Sequence, residues 1–136
     1  KQWTDVVSNR LSVGMCSPFG LTAIIAAYTE GEEWLDQARA YIDGNIRYIE
    51  SFVKENLPKA AVMDCQGTYL VWLDLNEYCS DHEKLEELMV RKAGIVFDEG
   101  YIFGPEGNGF ERINAATQRS TVEACMNRMK AALDTL

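Results

Sequence analysis

The sequence is short of the residues on which most catalytic and metal chemistry is built. Its 136 residues contain one histidine, His82, set among Asp81, Glu83 and Lys84 at what reads as a solvated helix start. Zinc sites and histidine-based triads both need ligands that are missing, so no metal is expected. The four cysteines (Cys16, Cys65, Cys79, Cys125) form no C-x-x-C pair and have no neighbouring histidine. A chain of this length folds around an apolar core without staples, so reduced cytosolic thiols are expected rather than two disulfides. Basic runs are missing too. With 13 Lys and Arg against 21 Asp and Glu, the net charge is −8, which would repel a phosphate backbone. No nucleic-acid partner is expected.

The apolar stretch 21–28 is far shorter than the ~20 residues that span a bilayer, so no membrane role is expected. No basic segment followed by an apolar run opens the chain, which points to a cytoplasmic protein. The chain also starts without a methionine, as a fragment or a processed product would.

What remains is the pattern of one globular domain, with no internal repeat and no linker. Residues 1–16 have no clear period and read as irregular or partly helical. Ser17 and Pro18 then form a helix start, as N-cap and first helical residue. Leu21, Ile24, Ile25 and Tyr28 follow at helical spacing, with alanines on the other face, until Gly31. A helix this apolar all round is expected to be buried on several sides. The next helix carries Trp34, Leu35, Ala38, Tyr41, Ile42, Ile46, Ile49, Phe52 and Val53 on one stripe and ends before Pro58. At about 25 residues it exceeds an average globular helix and is long enough to span the domain.

Strand signals follow at 61–65 and, more strongly, at 68–75 (TYLVWLDL), which is apolar on both faces as a central strand would be. A helix over 83–92, capped by Ser80 or Asp81, turns Leu85, Leu88 and Met89 inward and stops at Gly94. A short strand is predicted over 95–97, a glycine-punctuated loop over 100–109, and a strand over 110–115. Ser120 or Thr121 opens the last helix. The fold class is α+β, a small, largely antiparallel sheet with helices mainly on one face, joined by a long N-terminal helix of interdomain type.

Arg112 is the residue singled out for chemistry. Side chains alternate along a strand, so Phe110, Arg112 and Asn114 share one face, and Glu111, Ile113 and Ala115 the other. If Ile113 faces the helices, Arg112 points away from them and offers a planar fork suited to a carboxylate. An ordinary surface arginine paired with a glutamate fits the same pattern. The glycines of 100–109 fit neither G-x-G-x-x-G nor G-x-x-x-x-G-K-[ST], and no helix follows them, so a turn-rich connection is expected rather than a phosphate cradle. Arg119 stands just before the last helix, where a cation opposes the helix dipole; either an anion-bound or a solvated role explains it. Asn114 is a second candidate beside Arg112. Asp98 and Glu99 are adjacent carboxylates of the kind usually found exposed.

Three strings carry a family resemblance: AAYTEGEEWLDQARAYIDGNIRYIESFV (26–53), GTYLVWLDL (67–75) and GYIFGPEGNGFERINAATQRS (100–120). Together they resemble the class I and II aminotransferases, and within them the cystathionine β-lyase-like branch of PatB/MalY type. The last string is the most specific, joining the glycine loop, a G-F-x-R-[LI]-N strand and a following arginine. Gln118 departs from the proline that many relatives have there.

The resemblance implies that residues 17–136 are the C-terminal small domain of a fold-type I pyridoxal-phosphate (PLP) enzyme, with 1–16 leading in from a large domain. It implies a dimeric, cytosolic parent acting on an amino-acid substrate as a C–S β-lyase or a transaminase. Arg112 would then bind the substrate α-carboxylate, with Asn114 and Arg119 as secondary candidates. The Schiff-base lysine and the residues that hold the cofactor belong to the large domain. The chain alone is therefore expected to be inactive and to bind no PLP tightly. Without the large domain, residues 17–30 would be left as an apolar patch through which the chain self-associates. A free-standing amino-acid-binding regulatory module remains the alternative.

Overall fold

Ser17 opens the first helix as the sequence predicts, its side chain accepting a hydrogen bond from the Gly20 N–H (3.0 Å) with Pro18 behind it. The computed structural model describes Trp3, Val6 and residues 17–136. Apart from those two residues, the lead-in 1–16 lies outside the described residues. The chain divides into two compact units, 1–38 and 39–136.

In the first unit, helix α1 (Pro18–Glu30) closes at Gly31. None of its residues is buried, and Leu21, Ile24 and Ile25 are each more than half exposed, so α1 carries the apolar patch that the sequence leads one to expect of the chain by itself. An apolar helix surface of this kind is unusual for a stable monomer. Light scattering of the chain by itself is expected to show concentration-dependent association; a strict monomer at high concentration would argue against it.

Every buried hydrophobic side chain among the described residues lies in the second unit. Helix α2 (Glu32–Asn56) runs its 25 residues as the periodicity predicts, and its C-terminal half supplies Ile49, Phe52 and Val53 to the core. Four strands follow: β1 (Ala61–Val62), β2 (Leu70–Asp74), β3 (Asp98–Glu99) and β4 (Phe110–Asn114). They form one antiparallel sheet in the order β1-β2-β4-β3. Val71, Leu73 and Ile113 point into the core, where α3 (His82–Glu87) adds Leu85 and α4 (Arg119–Leu133) adds Val122, Met126, Met129 and Leu133.

Three boundaries differ from the sequence reading. The strand expected at 95–97 forms instead at Asp98–Glu99, because the backbone opposite Glu111 and Arg112 is what supplies its partners. The helix expected over 83–92 begins as α3 and widens into a π-helical turn at Leu88–Ala93, ended by Gly94 in the left-handed conformation (φ 61°). The carbonyls released at that end are taken by one side chain. Arg128 donates its Nε–H to the Ala93 oxygen (2.7 Å) and a terminal N–H to that of Gly94. The last helix opens at Arg119, with Gln118 at the cap position and no side-chain cap bond.

The glycine loop has a steric cause. Gly100 and Gly107 approach so closely that a Cβ on Gly100 would stand 2.2 Å from the Gly107 oxygen. Only glycine fits both positions, and the approach folds 100–107 into two short 3₁₀ turns against the start of β4.

Candidate functional site

Alternation along β4 sets the site. Glu111 and Ile113 are buried on the helix side, and Arg112 emerges on the opposite face. On that face Arg112 stands directly across from Trp72 of β2 and Asp98 of β3. A single oxygen of Asp98, Oδ2, accepts from both Arg112 Nε (3.2 Å) and Nη2 (2.7 Å). The guanidinium carbon lies 4.4 Å from the centre of the Phe103 ring, and Phe103 packs edge-on against Trp72 at 5.2 Å. Nη1 has no hydrogen-bond partner among the described residues. The partner of the arginine is therefore an aspartate rather than the glutamate its pattern had also allowed.

A shallow cleft of about 270 Å³ adjoins this stack, lined by Trp72, Phe103, Glu106, Gly107 and Phe110. A larger groove, of about 470 Å³, lies between residues 94–97 and α4 and includes Phe97, Ile113 and Cys125, but not Arg112 or Asp98. Burial pushes the Cys125 thiol up to about 11, so at neutral pH it is an inert lining group rather than a nucleophile.

The two secondary candidates go elsewhere. Asn114 is exposed on the Arg112 face, and its Oδ1 accepts from the Ala116 N–H (2.8 Å), shaping the turn after β4. Arg119 packs its guanidinium over the Tyr48 ring of α2 at 4.8 Å, and its backbone N–H donates to Tyr41 Oη. It shares no partner with Arg112. Anchoring α4 to α2 explains it without an anion.

Two features around Arg112 escaped the sequence reading. Asp98, read there as an ordinary exposed carboxylate, is its ion-pair partner. Glu111 is a buried carboxyl (1% exposed) whose Oε2 has no hydrogen-bond partner among the described residues. Burial, then the neighbouring charges of Glu99 and Glu86, push it up to about 8. Alternation had already put Glu111 beside Ile113, which was the available signal for its burial.

No family model matches the sequence. Similarity to individual proteins is extensive. Cystathionine β-lyase PatB of Bacillus subtilis is 37% identical over 124 residues, covering 91% of this chain and 32% of that protein. Protein MalY of Escherichia coli is 38% identical over 112 residues, covering 81% and 29%. The crystal structure of cystalysin from Treponema denticola, which contains pyridoxal 5'-phosphate, superposes with a TM-score of 0.86 at 40% identity, covering 94% of this chain and 33% of that one. The chain thus spans about a third of the length of the relatives it matches.

The fold is that of the PLP-dependent aminotransferases and C–S lyases. Within that class the chain is a homologue of the PatB/MalY cystathionine β-lyases.

The described residues do not by themselves fit the cofactor. Lys54 is exposed in the last turn of α2, Lys59 lies over the Tyr78 ring, Lys84 and Lys130 pair with Asp81 and Asp134, and Lys92 donates to Thr135. None of these lysines shares a partner with Arg112. The cleft beside Phe103 carries the carboxylate of Glu106, which opposes a phosphate. PLP added to the chain alone is expected to give no stoichiometric, saturable lysine–cofactor absorbance band; such a band would overturn this reading.

Proposed function

We propose that this chain is the C-terminal small domain of a PLP-dependent C–S β-lyase or aminotransferase, and that Arg112 is its grip on the substrate α-carboxylate. The observation that carries the reading is the Arg112 guanidinium on the face of the sheet turned away from the core, steadied by Asp98 and Phe103, with Nη1 unpaired among the described residues. A guanidinium in this state binds a carboxylate in bidentate fashion with little further ordering. The chemistry on the substrate belongs to the cofactor and to the rest of the protein; what these residues supply is orientation. The working partners are the protein's own large domain, a second subunit and an amino acid, in a cytoplasmic setting. The chain alone is inactive.

The test is Arg112→Ala in the PLP-loaded full-length protein. Losing two charge-assisted hydrogen bonds, each about 1.5 kcal/mol, predicts a fall in kcat/KM of about 100-fold or more. A variant as efficient as the wild type would sink the assignment. Pyruvate release from cystathionine in the same assay separates lyase from transaminase.

A further inference from the structure

We propose that Asp98 is a positioning residue for carboxylate recognition, pinning one edge of the Arg112 guanidinium so that the other is presented already aligned. This rests on the reading of Arg112 as the carboxylate grip. The guanidinium carries five N–H donors in a plane. Asp98 Oδ2 takes the Nε–H and one Nη2–H. The end edge, formed by Nη1 and the remaining Nη2–H, is left with two parallel donors, the arrangement a carboxylate fills. One face of the plane is held by Phe103, which Trp72 braces in turn. The backbones of Asp98 and Arg112 are directly opposed in the β3–β4 ladder, so the pair is held by the sheet and not by two free side chains.

Asp98 also brings a negative charge, which opposes an incoming carboxylate. Its side chain is 48% exposed against 22% for Arg112, so solvent screens that charge, whereas the geometric restraint is undiminished. Orientation outweighs repulsion. An arginine fixed before binding loses less conformational freedom when the ligand arrives.

The experiment compares an L-amino-acid substrate with its α-carboxamide in the PLP-loaded full-length enzyme. Asp98→Ala is expected to raise KM for the acid about ten-fold with little change in kcat, and to leave the carboxamide unaffected. Asp98→Asn keeps an oxygen acceptor for the same two N–H groups and restores most of the affinity. A purely structural role for Asp98 would lower the melting temperature and weaken acid and amide alike, and that outcome overturns the proposal. So does unchanged or tighter acid binding in both variants. Arg112→Ala separates the two levels. If it leaves the preference for acid over amide intact, the carboxylate grip itself falls. If it abolishes that preference while Asp98→Ala does not, only the role of Asp98 falls.

Discussion

Glu111→Gln is expected to stabilise the protein by about 3 kcal/mol at pH 7 and to remove most of its loss of stability between pH 5 and 8. The Glu111 carboxyl is raised from 4.5 to about 8, chiefly by burial and then by Glu99 and Glu86. The folded state therefore holds this proton more tightly than the unfolded chain does. The stabilisation is complete below the unfolded value and is lost as pH rises through the folded one. Over that window the slope is about 1.4 kcal/mol per pH unit, which integrates to roughly 3 kcal/mol by pH 7. Glutamine has no proton to lose. Denaturant titrations of both proteins at pH 5, 6, 7 and 8 measure the two slopes. Equal slopes would mean that Glu111 does not titrate in this range.

Asn45→Ala is expected to cost about 3 kcal/mol, a comparable effect of opposite sign. Asn45 is fully buried in α2, and its Nδ2 donates to the carbonyls of Ala115 and Thr117, each at 2.8 Å. Removing it leaves two carbonyls of the turn after β4 without a donor, at about 1–3 kcal/mol for each one that stays buried. The shift in denaturation midpoint at constant slope measures the cost. A loss below about 1 kcal/mol would mean that water reaches the turn and replaces the amide.

Asn45 marks where the sequence stopped being legible. The two long helices, the cap at Ser17, the stop at Gly94 and the outward face of Arg112 follow from local rules, because caps and periodicity act between residues a few positions apart. The partners of Arg112 do not. Asp98 lies 14 residues away, and only the β3–β4 register brings it opposite. β3 itself was misplaced by three residues for the same reason, since a two-residue strand is defined by its neighbour rather than by its own propensity. Asn45 reads as an unremarkable polar residue inside a helix, and its partners are 70 and 72 residues further on.

The ladder around β4 has one more consequence. Outside the strand itself, the Leu75 N–H donates to the Gly109 carbonyl (2.8 Å) at one end, and the Ala115 N–H to that of Tyr69 (2.8 Å) at the other. A slip of one residue would exchange the two faces, turning the guanidinium inward and the Glu111 carboxyl out. Bolted at both ends, the strand is insulated from what precedes it. The segment between Glu99 and Gly109 can then vary without shifting the register of β4, provided the close approach at Gly100 and the Phe103 ring against Arg112 are kept. The fold thus separates a part free to diversify from a part held constant, and the loop can change next to an arginine, the proposed carboxylate grip, that does not move.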